Sequence, residues 1–449
     1  MKTDVSLVEG NISRGLLRFA MPILFALVLQ NLYSSVDMLI VGNFSDIANI
    51  SGVSTGSQLM STLTALCVGL AMGITIFIGQ KLGENKEEHT NEDITKIISN
   101  GMILFGGISI VTMIGFLLYR DGFVKLLNTP ADAVIQTSEY IWYCSIGIPM
   151  IFMYNMLGSV FRGLGDSKTP LIAVGIACIV NVVGDLILIA GLGMGAGGAA
   201  IATVIAQAVS VIVTFYILRK KSIITKKFMQ ELFIIRVDYI KKILSLGIPV
   251  ALQSVMATFS VLMFTMIVNE YGILFSAAIG LADKVTGLTV MLPSAFMQAL
   301  SVFVAQNYGA KNYARAKQGL LVCLKWSFGI GMITAISIFL FGDIMVSIFN
   351  RDPELVTAAK QYLNGFALDT CIVTIQFSLV GYFNGYGKTM FVMFQSIVGT
   401  LVRIPLVYYM STLIPTSLFK IGIATPMTTS FQIFMCVAFL IYLERKLRN

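Results

Sequence analysis

The stretch LVLQNLYSSVDMLIVG, residues 27–42, belongs to an apolar run long enough to cross a membrane, yet it contains one carboxylate, Asp37. Similar runs of about 20 apolar residues, the length that spans a bilayer, recur along the whole chain. A soluble domain carries about 25% charged residues, whereas only 12% of this chain is charged and 56% is hydrophobic. The sequence therefore predicts an all-α polytopic membrane protein, since an outer-membrane barrel would show short alternating segments instead.

The apolar runs predict twelve membrane-spanning helices. Their approximate bounds are residues 15–41, 50–79, 95–119, 133–158, 169–190, 196–218, 242–269, 275–305, 318–342, 357–382, 389–412 and 421–443. If both ends lie on one side, the loops opposite hold only Arg120, Lys125, Arg351 and Lys420 as basic residues. By the positive-inside rule we expect a multi-pass protein of the cell membrane with both termini in the cytoplasm.

The two halves of the chain resemble each other. FVKLLNTPADAVIQTSEYI (123–141) parallels MVSIFNRDPELVTAAKQYL (345–363), and FRGLGDSKT (161–169) parallels FNGYGKT (383–389). Each half holds six predicted helices, so both copies start on the same side of the membrane. The repeat therefore predicts two six-helix lobes related by pseudo-two-fold symmetry along the membrane normal, an arrangement of secondary transporters.

The lobe boundaries follow from the repeat and from charge. We predict an N-terminal six-helix lobe over residues 1–218, a basic cytoplasmic linker over 219–241 and a C-terminal six-helix lobe over 242–449. Basic residues beside membrane helices fix topology and contact anionic lipid. The net charge of +8 therefore predicts contact with membrane lipid rather than with nucleic acid.

Several functional classes are excluded by what the sequence lacks. It has one histidine, His89, in a charged loop, and its six cysteines form no C-x-x-C pair. No phosphate-binding G-x-x-x-x-G-K-[ST] string is present. A membrane-embedded enzyme would need a convergent nucleophile, metal or histidine site, and none is visible. The sequence predicts neither an enzyme nor a cofactor.

Comparison of the halves separates scaffold residues from candidate functional residues. Opposite Asp37 the second half has Phe264, and opposite Asn155 it has Phe377. Residues that are polar in one copy and apolar in the other are better candidates for function, because shared packing does not require them. The polarity is concentrated in the N-terminal half.

The other polar positions of that half are less clearly asymmetric. Asn181 and Asp185 fall opposite the stretch LVRIPL, 401–406, where a two-residue gap blurs the alignment. Tyr140 and Thr203 recur in the second half as Tyr362 and Thr425.

The predicted depths of the two acids agree. Asp37 lies about 19 residues beyond Arg18 and Asp185 lies 17 residues beyond Lys168, so at ~1.5 Å per residue both sit about 25–28 Å from the cytoplasmic side. Two close carboxylates can bind a small cation or share a proton, because one of the pair resists ionisation. Alternatively, both acids are structural and pair with Arg403, an arginine deep in a membrane segment.

Four short motifs in order carry a resemblance to a known family. They are P-x(14)-D at Pro22 and Asp37, Q-x-x-G at Gln80 and Gly83, the turn FRGLGD-K-TP (161–170), and N-x-x-x-D at Asn181 and Asp185. With the two six-helix lobes, this pattern resembles the multidrug and toxic compound extrusion (MATE) family over essentially the whole chain.

The resemblance implies a secondary active multidrug efflux antiporter that works by alternating access, with H⁺ or Na⁺ as the coupling ion. It implies a subtype with the cation site in the N-terminal lobe. Asp37, Asn181, Asp185 and Thr203 would form the core of the site and the candidate Na⁺ ligands. Tyr140 and Asn155 would act as relay or support.

The remaining expectations concern substrate and motion. We expect amphipathic, often cationic, small-molecule substrates, a monomer, and Pro22 as a hinge in the first helix because proline removes a helical hydrogen bond. Gln30, Gln253 and Asp369 are candidate lining residues of the substrate cavity. Asp369 forms either a second site or a structural contact with neighbouring helices. The alternative function is a lipid-linked oligosaccharide flippase, for which Arg403 is the one candidate pyrophosphate ligand.

One position departs from the family pattern. Some relatives carry a coupling glutamate in the seventh helix, whereas the run VALQSVMATFSVLMF, 250–264, contains none. Asp369 is then the carboxylate nearest the middle of the second half.

Overall fold

The computed structural model describes residues 7–84, 87–221, 226–232 and 234–448. Within that part of the chain, twelve helices are long and apolar enough to cross a membrane. The predicted all-α fold with twelve spanning helices is therefore confirmed. Residues 222–225 and 233 of the predicted linker lie outside the described residues.

Most helices extend a few residues beyond their predicted ends, because hydrophobicity marks the part of a helix in lipid and not its last hydrogen bond. Their bounds are α1 Ile12–Phe44, α2 Ile47–Gly83, α3 Glu87–Leu118, α4 Arg120–Leu126, α5 Val134–Gly163, α6 Lys168–Asp185, α7 Gly195–Lys220, α8 Lys226–Glu231, α9 Val237–Asn269, α10 Ile273–Gly309, α11 Tyr313–Ser347, α12 Pro353–Gly385, α13 Thr389–Thr412 and α14 Leu418–Arg448. The short helices α4 and α8 are too short to span.

The chain folds into two compact units. The first contains Met21–Ala251, and the second contains Leu7–Ala20 together with Leu252–Asn449. Both α1 and α9 are thus divided between units. The division at a linker over residues 219–241, read from the repeat, stays a prediction.

Helix α5 is the central helix of the first unit, because small residues let its neighbours approach closely. A side chain at Gly147 would collide with Val204 of α7, and one at Gly163 would collide with α2 near Ile78. Small residues at helix contacts are the usual means of tight packing between membrane helices. This packing fixes the position of the polar residues that α5 and α7 carry.

Helix α6 differs from its prediction at one informative place. The α-helical hydrogen bonds end at Asp185 and the chain continues as a π-helical turn, Leu186–Gly191. Within this wider turn the Leu192 amide donates to the Ile187 carbonyl at 3.0 Å. Such turns are rare and occur often at functional sites. The sequence alone predicted one uninterrupted helix here.

In the second unit, the segment before α1 and the start of α1 are held by side chains of α10 and α11. Asn307 donates from Nδ2 to the Leu7 carbonyl at 3.1 Å, and Arg315 donates from Nη2 to the Glu9 carbonyl at 2.8 Å. Each bond satisfies a backbone oxygen that no helix supplies with a donor. These contacts explain why residues 7–20 belong to this unit.

Candidate functional site

The first unit brings Asp37 of α1 and Asp185 of α6 together. Their side chains are buried, with residue exposures of 8% for Asp37 and 0% for Asp185. The two carboxyl groups lie close enough to interact with each other. Two ionised carboxylates can only accept hydrogen bonds, so this contact is unfavourable without a proton or a cation between them.

Three of the four carboxylate oxygens of this pair are buried without a hydrogen-bond donor. Asp37 Oδ1 and both Asp185 oxygens are buried without a partner, and so is the amide oxygen of Asn181. A buried polar atom without a partner costs about 1–3 kcal/mol, and more when it is charged. These four oxygens, on α1 and α6, form a set of ligand atoms that suits a proton or a hard cation such as Na⁺.

Asn181 and Thr203 complete the cluster from α6 and α7. Asn181 lies one helical turn before Asp185, and its Nδ2 donates to Thr203 Oγ1 at 3.5 Å. This orientation leaves the Asn181 oxygen free of any donor, because the amide nitrogen is turned toward Thr203.

Tyr140 of α5 is buried close to Asp37. Its ring packs where a side chain at Gly56 of α2 would stand, so only glycine leaves room for it. Asn155, by contrast, donates from Nδ2 to the Ile151 carbonyl of its own helix at 2.8 Å. The structure thus buries Tyr140 near enough to Asp37 to sense its charge, and it gives Asn155 a partner within α5.

A cavity adjoins the cluster within the first unit. It is small, with a cavity volume of about 20 Å³. Its polar wall includes Gln30, Tyr33, Tyr154, Asn181, Thr203 and Gln207. Gln30 donates from Nε2 to the Tyr154 hydroxyl at 3.4 Å, and Gln207 Oε1 is buried without a partner. Although most of its surface is apolar, a cavity with several polar groups in its wall can hold ordered water.

Three of these residues were missed by the sequence reasoning. Tyr33 lies four residues before Asp37, and Gln207 lies four residues after Thr203. Residues four apart share one face of a helix, so this spacing could have indicated both residues from the sequence. Tyr154 precedes Asn155, and only the structure shows that it, rather than Asn155, lines this cavity with Gln30.

The other predicted residues are Pro22, Gln253 and Asp369. Pro22 stands inside α1, which is assigned as one helix from Ile12 to Phe44. Gln253 is half-buried on α9 in the second unit. Asp369 of α12 is 4% exposed, and its Oδ1 has no hydrogen-bond partner.

Basic side chains do not neutralise the pair among the described residues. No Lys or Arg nitrogen there lies within 4.0 Å of an Asp37 or Asp185 oxygen. The described residues also contain no cluster of three or more histidine, cysteine or acidic side chains of the kind that binds a transition metal.

A third aspartate, Asp166, ties together the ends of α6 and α7. Its Oδ1 accepts from the amides of Lys168 and Thr169, both at 3.0 Å, and its Oδ2 accepts from Lys221 Nζ at 2.7 Å. Burial raises the pKa of this carboxyl, but the bonds from Lys221 and Thr169 outweigh it, so the pKa lies below its ordinary value. This contact supports the helix that carries Asn181 and Asp185.

Comparison with known proteins identifies relatives of this chain. "Probable multidrug resistance protein YpnP" of Bacillus subtilis is 27% identical over 439 residues, which cover 97% of this chain and 95% of that protein. A solved MOP superfamily transporter from Pyrococcus furiosus, described by the reverse polarity of its binding pocket, superposes with a TM-score of 0.91 at 20% identity and covers 100% of both chains. A multidrug resistance MATE family transporter solved in an outward-facing conformation gives a TM-score of 0.88 at 19% identity, covering 100% of this chain and 99% of that one.

At these identities the two solved structures show the fold alone. The MatE family model matches residues 22–187 and 249–409, which is most of both halves of the chain. Since that match covers more than half of the sequence, this chain belongs to the MatE family of membrane transporters and is not an enzyme.

Proposed function

We propose that this protein is a secondary antiporter that exports amphipathic, often cationic, organic compounds in exchange for H⁺ or Na⁺ bound between Asp37 and Asp185. The observation that carries the proposal is the set of buried oxygens without donors on Asp37, Asn181 and Asp185. Two neighbouring buried carboxylates repel each other. An inbound proton or sodium ion removes that repulsion, whereas an organic substrate does not reach oxygens with no accessible surface.

Coupling requires that the ion binds two arrangements of the protein with different affinity, since a ligand that binds both equally shifts nothing. The Asp37 carboxyl lies on α1 and the Asp185 carboxyl at the end of α6. A cation held by both would fix the distance between these helices, and its release would let them separate. Pro22, inside α1, is the proposed hinge, because proline removes one helical hydrogen bond.

The ion gradient supplies enough energy for export. One elementary charge that crosses a 100 mV membrane potential contributes about 2.3 kcal/mol. Since about 1.4 kcal/mol corresponds to a factor of ten, exchange of one net charge supports roughly a fifty-fold substrate gradient. The π-helical turn after Asp185 gives the site a backbone that can change its hydrogen bonding without breaking the whole helix.

Transport by purified protein in liposomes tests the proposal. Efflux of the cationic dye rhodamine 123 is measured under an imposed pH gradient, an imposed sodium gradient, or both. We expect one of these gradients to drive efflux in the unaltered protein. Asp37→Asn and Asp185→Asn should abolish the gradient-driven component, because a neutral amide no longer needs the ion.

The matched control is Asp132→Asn, an exposed aspartate before α5, which should transport as the unaltered protein does. Dye binding to each variant checks that it is folded. Gradient-driven efflux that persists in both folded site variants would rule out the proposed coupling residues.

A further inference from the structure

The segment before α1, residues 7–11, lies in the second unit and is held there by side chains. Arg315 of α11 donates from Nε to the Leu7 carbonyl at 3.3 Å and from Nη2 to the Glu9 carbonyl at 2.8 Å. Asn307 of α10 donates from Nδ2 to the same Leu7 carbonyl at 3.1 Å. Hydrogen bonds from a charged donor are about twice as strong as neutral ones, so Arg315 is the main anchor of this segment.

Packing fixes both the anchored segment and the arginine that holds it. Leu7 is buried, and its side chain lies against Gly15 in the first turns of α1. The Arg315 guanidinium carbon lies 5.6 Å from the centre of the buried Phe303 ring, in a cation–π contact. The ring of Phe303 occupies the place where a side chain at Gly319 would stand. A guanidinium that stacks on a fixed ring keeps its N–H donors in one direction, here toward the two carbonyls.

The first turn of α1 is anchored as well. Trp326 of α11 donates from its indole Nε1 to Ser13 Oγ at 2.8 Å. The Asn11 side chain accepts from the amide of Arg14 at 3.0 Å and so caps the start of the helix. The anchor therefore continues from the segment before α1 into the helix itself.

Helix α1 has its two ends in different units. Up to Ala20 it belongs to the second unit, and from Met21 onward it belongs to the first, where it carries Asp37. The change of unit lies beside Pro22, where proline removes one helical hydrogen bond. A helix that is held at one end can transmit a displacement of its other end, whereas a helix with a free end moves alone.

The second half of the chain is built in the same way with the units exchanged. Helix α9, the counterpart of α1 in the repeat, belongs to the first unit up to Ala251. The Arg236 amide, just before α9, donates to Asn100 Oδ1 of α3 at 2.7 Å. The Tyr239 hydroxyl donates to Asp93 Oδ1 at 2.8 Å. Anchoring of the first helix is therefore common to both halves, but of these two helices it is α1 that carries an acid of the proposed ion site.

We propose that Arg315 is a positioning residue for the exchange of ion and substrate. With Asn307 and Trp326 it fixes the N-terminal end of α1 in the second unit, so that a shift of Asp37 on ion binding is transmitted along α1 to that unit. Arg315 acts through α1, because its hydrogen bonds go to the backbone before this helix. The inference rests on the proposed antiport and adds the contact through which an ion in the first unit acts on the second.

The effect of the ion on dye affinity tests this role. Exchange requires that the ion changes the affinity for the substrate. Binding of rhodamine 123 to the purified full-length protein is measured by fluorescence anisotropy in NaCl and in N-methylglucamine chloride of equal ionic strength, and in acidic and mildly alkaline buffer. The coupling ratio is the dye dissociation constant with the ion divided by the constant without it. In the unaltered protein we expect a ratio of at least about five for one of the two ions.

Three variants should lower this ratio to different extents. Arg315→Gln should bring it close to one and reduce gradient-driven efflux from liposomes by roughly tenfold, the factor for a lost charge-assisted hydrogen bond. Arg315→Lys keeps the charge but offers one nitrogen in place of a fork of donors, so its ratio should be intermediate. Trp326→Phe keeps an aromatic ring and loses the indole N–H. It should also lower the ratio, and it decides the matter if Arg315→Gln does not yield folded protein.

Arg445→Gln, which alters an exposed arginine near the end of α14, is the matched control and should keep both the ratio and the efflux. A purely structural role of Arg315 would weaken dye binding equally with and without the ion, and that unchanged ratio would overturn the proposal. A normal ratio in Trp326→Phe as well as in Arg315→Gln would do the same. If neither ion changed dye affinity in the unaltered protein, the proposed antiport itself would fail, and this inference with it.

Discussion

The same threonine position has different partners in the two units. In the first unit Thr203 accepts from the amide of Asn181, one turn from Asp185, and in the second unit Thr425 accepts from the guanidinium of Arg403. The first cluster has buried oxygens without hydrogen-bond donors. The second contains a cation of its own. A duplicated scaffold has thus kept its packing while the charges of its polar clusters diverged.

The largest expected effect comes from replacing Asn181 of the first unit with arginine, the residue that stands at the equivalent position, 403, of the second unit. Asn181→Arg places a guanidinium beside Asp37 and Asp185. Close charge pairs are worth about 1.5–7 kcal/mol, so this resident cation should displace the coupling ion and reduce gradient-driven efflux at least about tenfold. Dye binding should persist.

Proteoliposome efflux checks this, with Asn43→Arg on the exposed end of α1 as the control for an added arginine. Normal efflux by Asn181→Arg would contradict the idea that the two clusters differ in their need for an ion.

The next prediction concerns the scaffold of the first unit. Asp166→Asn removes the ion pair with Lys221, which lies 2.7 Å from Asp166 Oδ2. Hydrogen bonds to a charged group contribute about 1.5–3 kcal/mol each, so the variant should unfold at a lower temperature at neutral pH by an amount that corresponds to about 2 kcal/mol.

The pH dependence of that effect has a defined sign. The folded-state pKa of Asp166 lies below the ordinary value of 3.8. The stabilisation is therefore fully present above that value and is lost as pH falls through the lower folded pKa. Thermal unfolding in detergent should show the difference between variant and unaltered protein shrink below about pH 4. If the difference in unfolding temperature between the variant and the unaltered protein stayed constant in acid, the charge of the Asp166 carboxylate would not contribute to stability.

The smallest effects come from the shared threonines. Thr203→Val and Thr425→Val each remove a hydroxyl that accepts a long hydrogen bond, worth about 1 kcal/mol or less. Thr203→Val should raise the half-saturating concentration of the coupling ion by up to roughly fivefold, the factor that corresponds to 1 kcal/mol. Thr425→Val should leave it unchanged, because the proposed coupling site lies in the first unit. The measurement is efflux by each variant as a function of the concentration of the coupling ion. Equal changes in the half-saturating concentration for the two variants would contradict the proposed difference between the units.

Much of the site was accessible from the sequence because a charge in a long apolar run is conspicuous. Asp37 and Asp185 were paired from their similar depth and from the family resemblance, and the structure brings them together. Asn181 and Thr203 were placed with them, and the two side chains do meet. That these residues bind the coupling ion stays a prediction. Asn155 was less predictable, since an amide on a helix can bond its own backbone, as it does with Ile151.

What the amino-acid sequence determined by itself is the number of helices and the repeat, since both follow from local hydrophobicity and from similarity between the halves. Only the tertiary structure decided that Arg403 stands in the place of Asn181, that the helix changes hydrogen bonding after Asp185, and that α1 and α9 are each shared between two compact units. These features depend on which side chains meet across helices, and spacing along one chain does not record that.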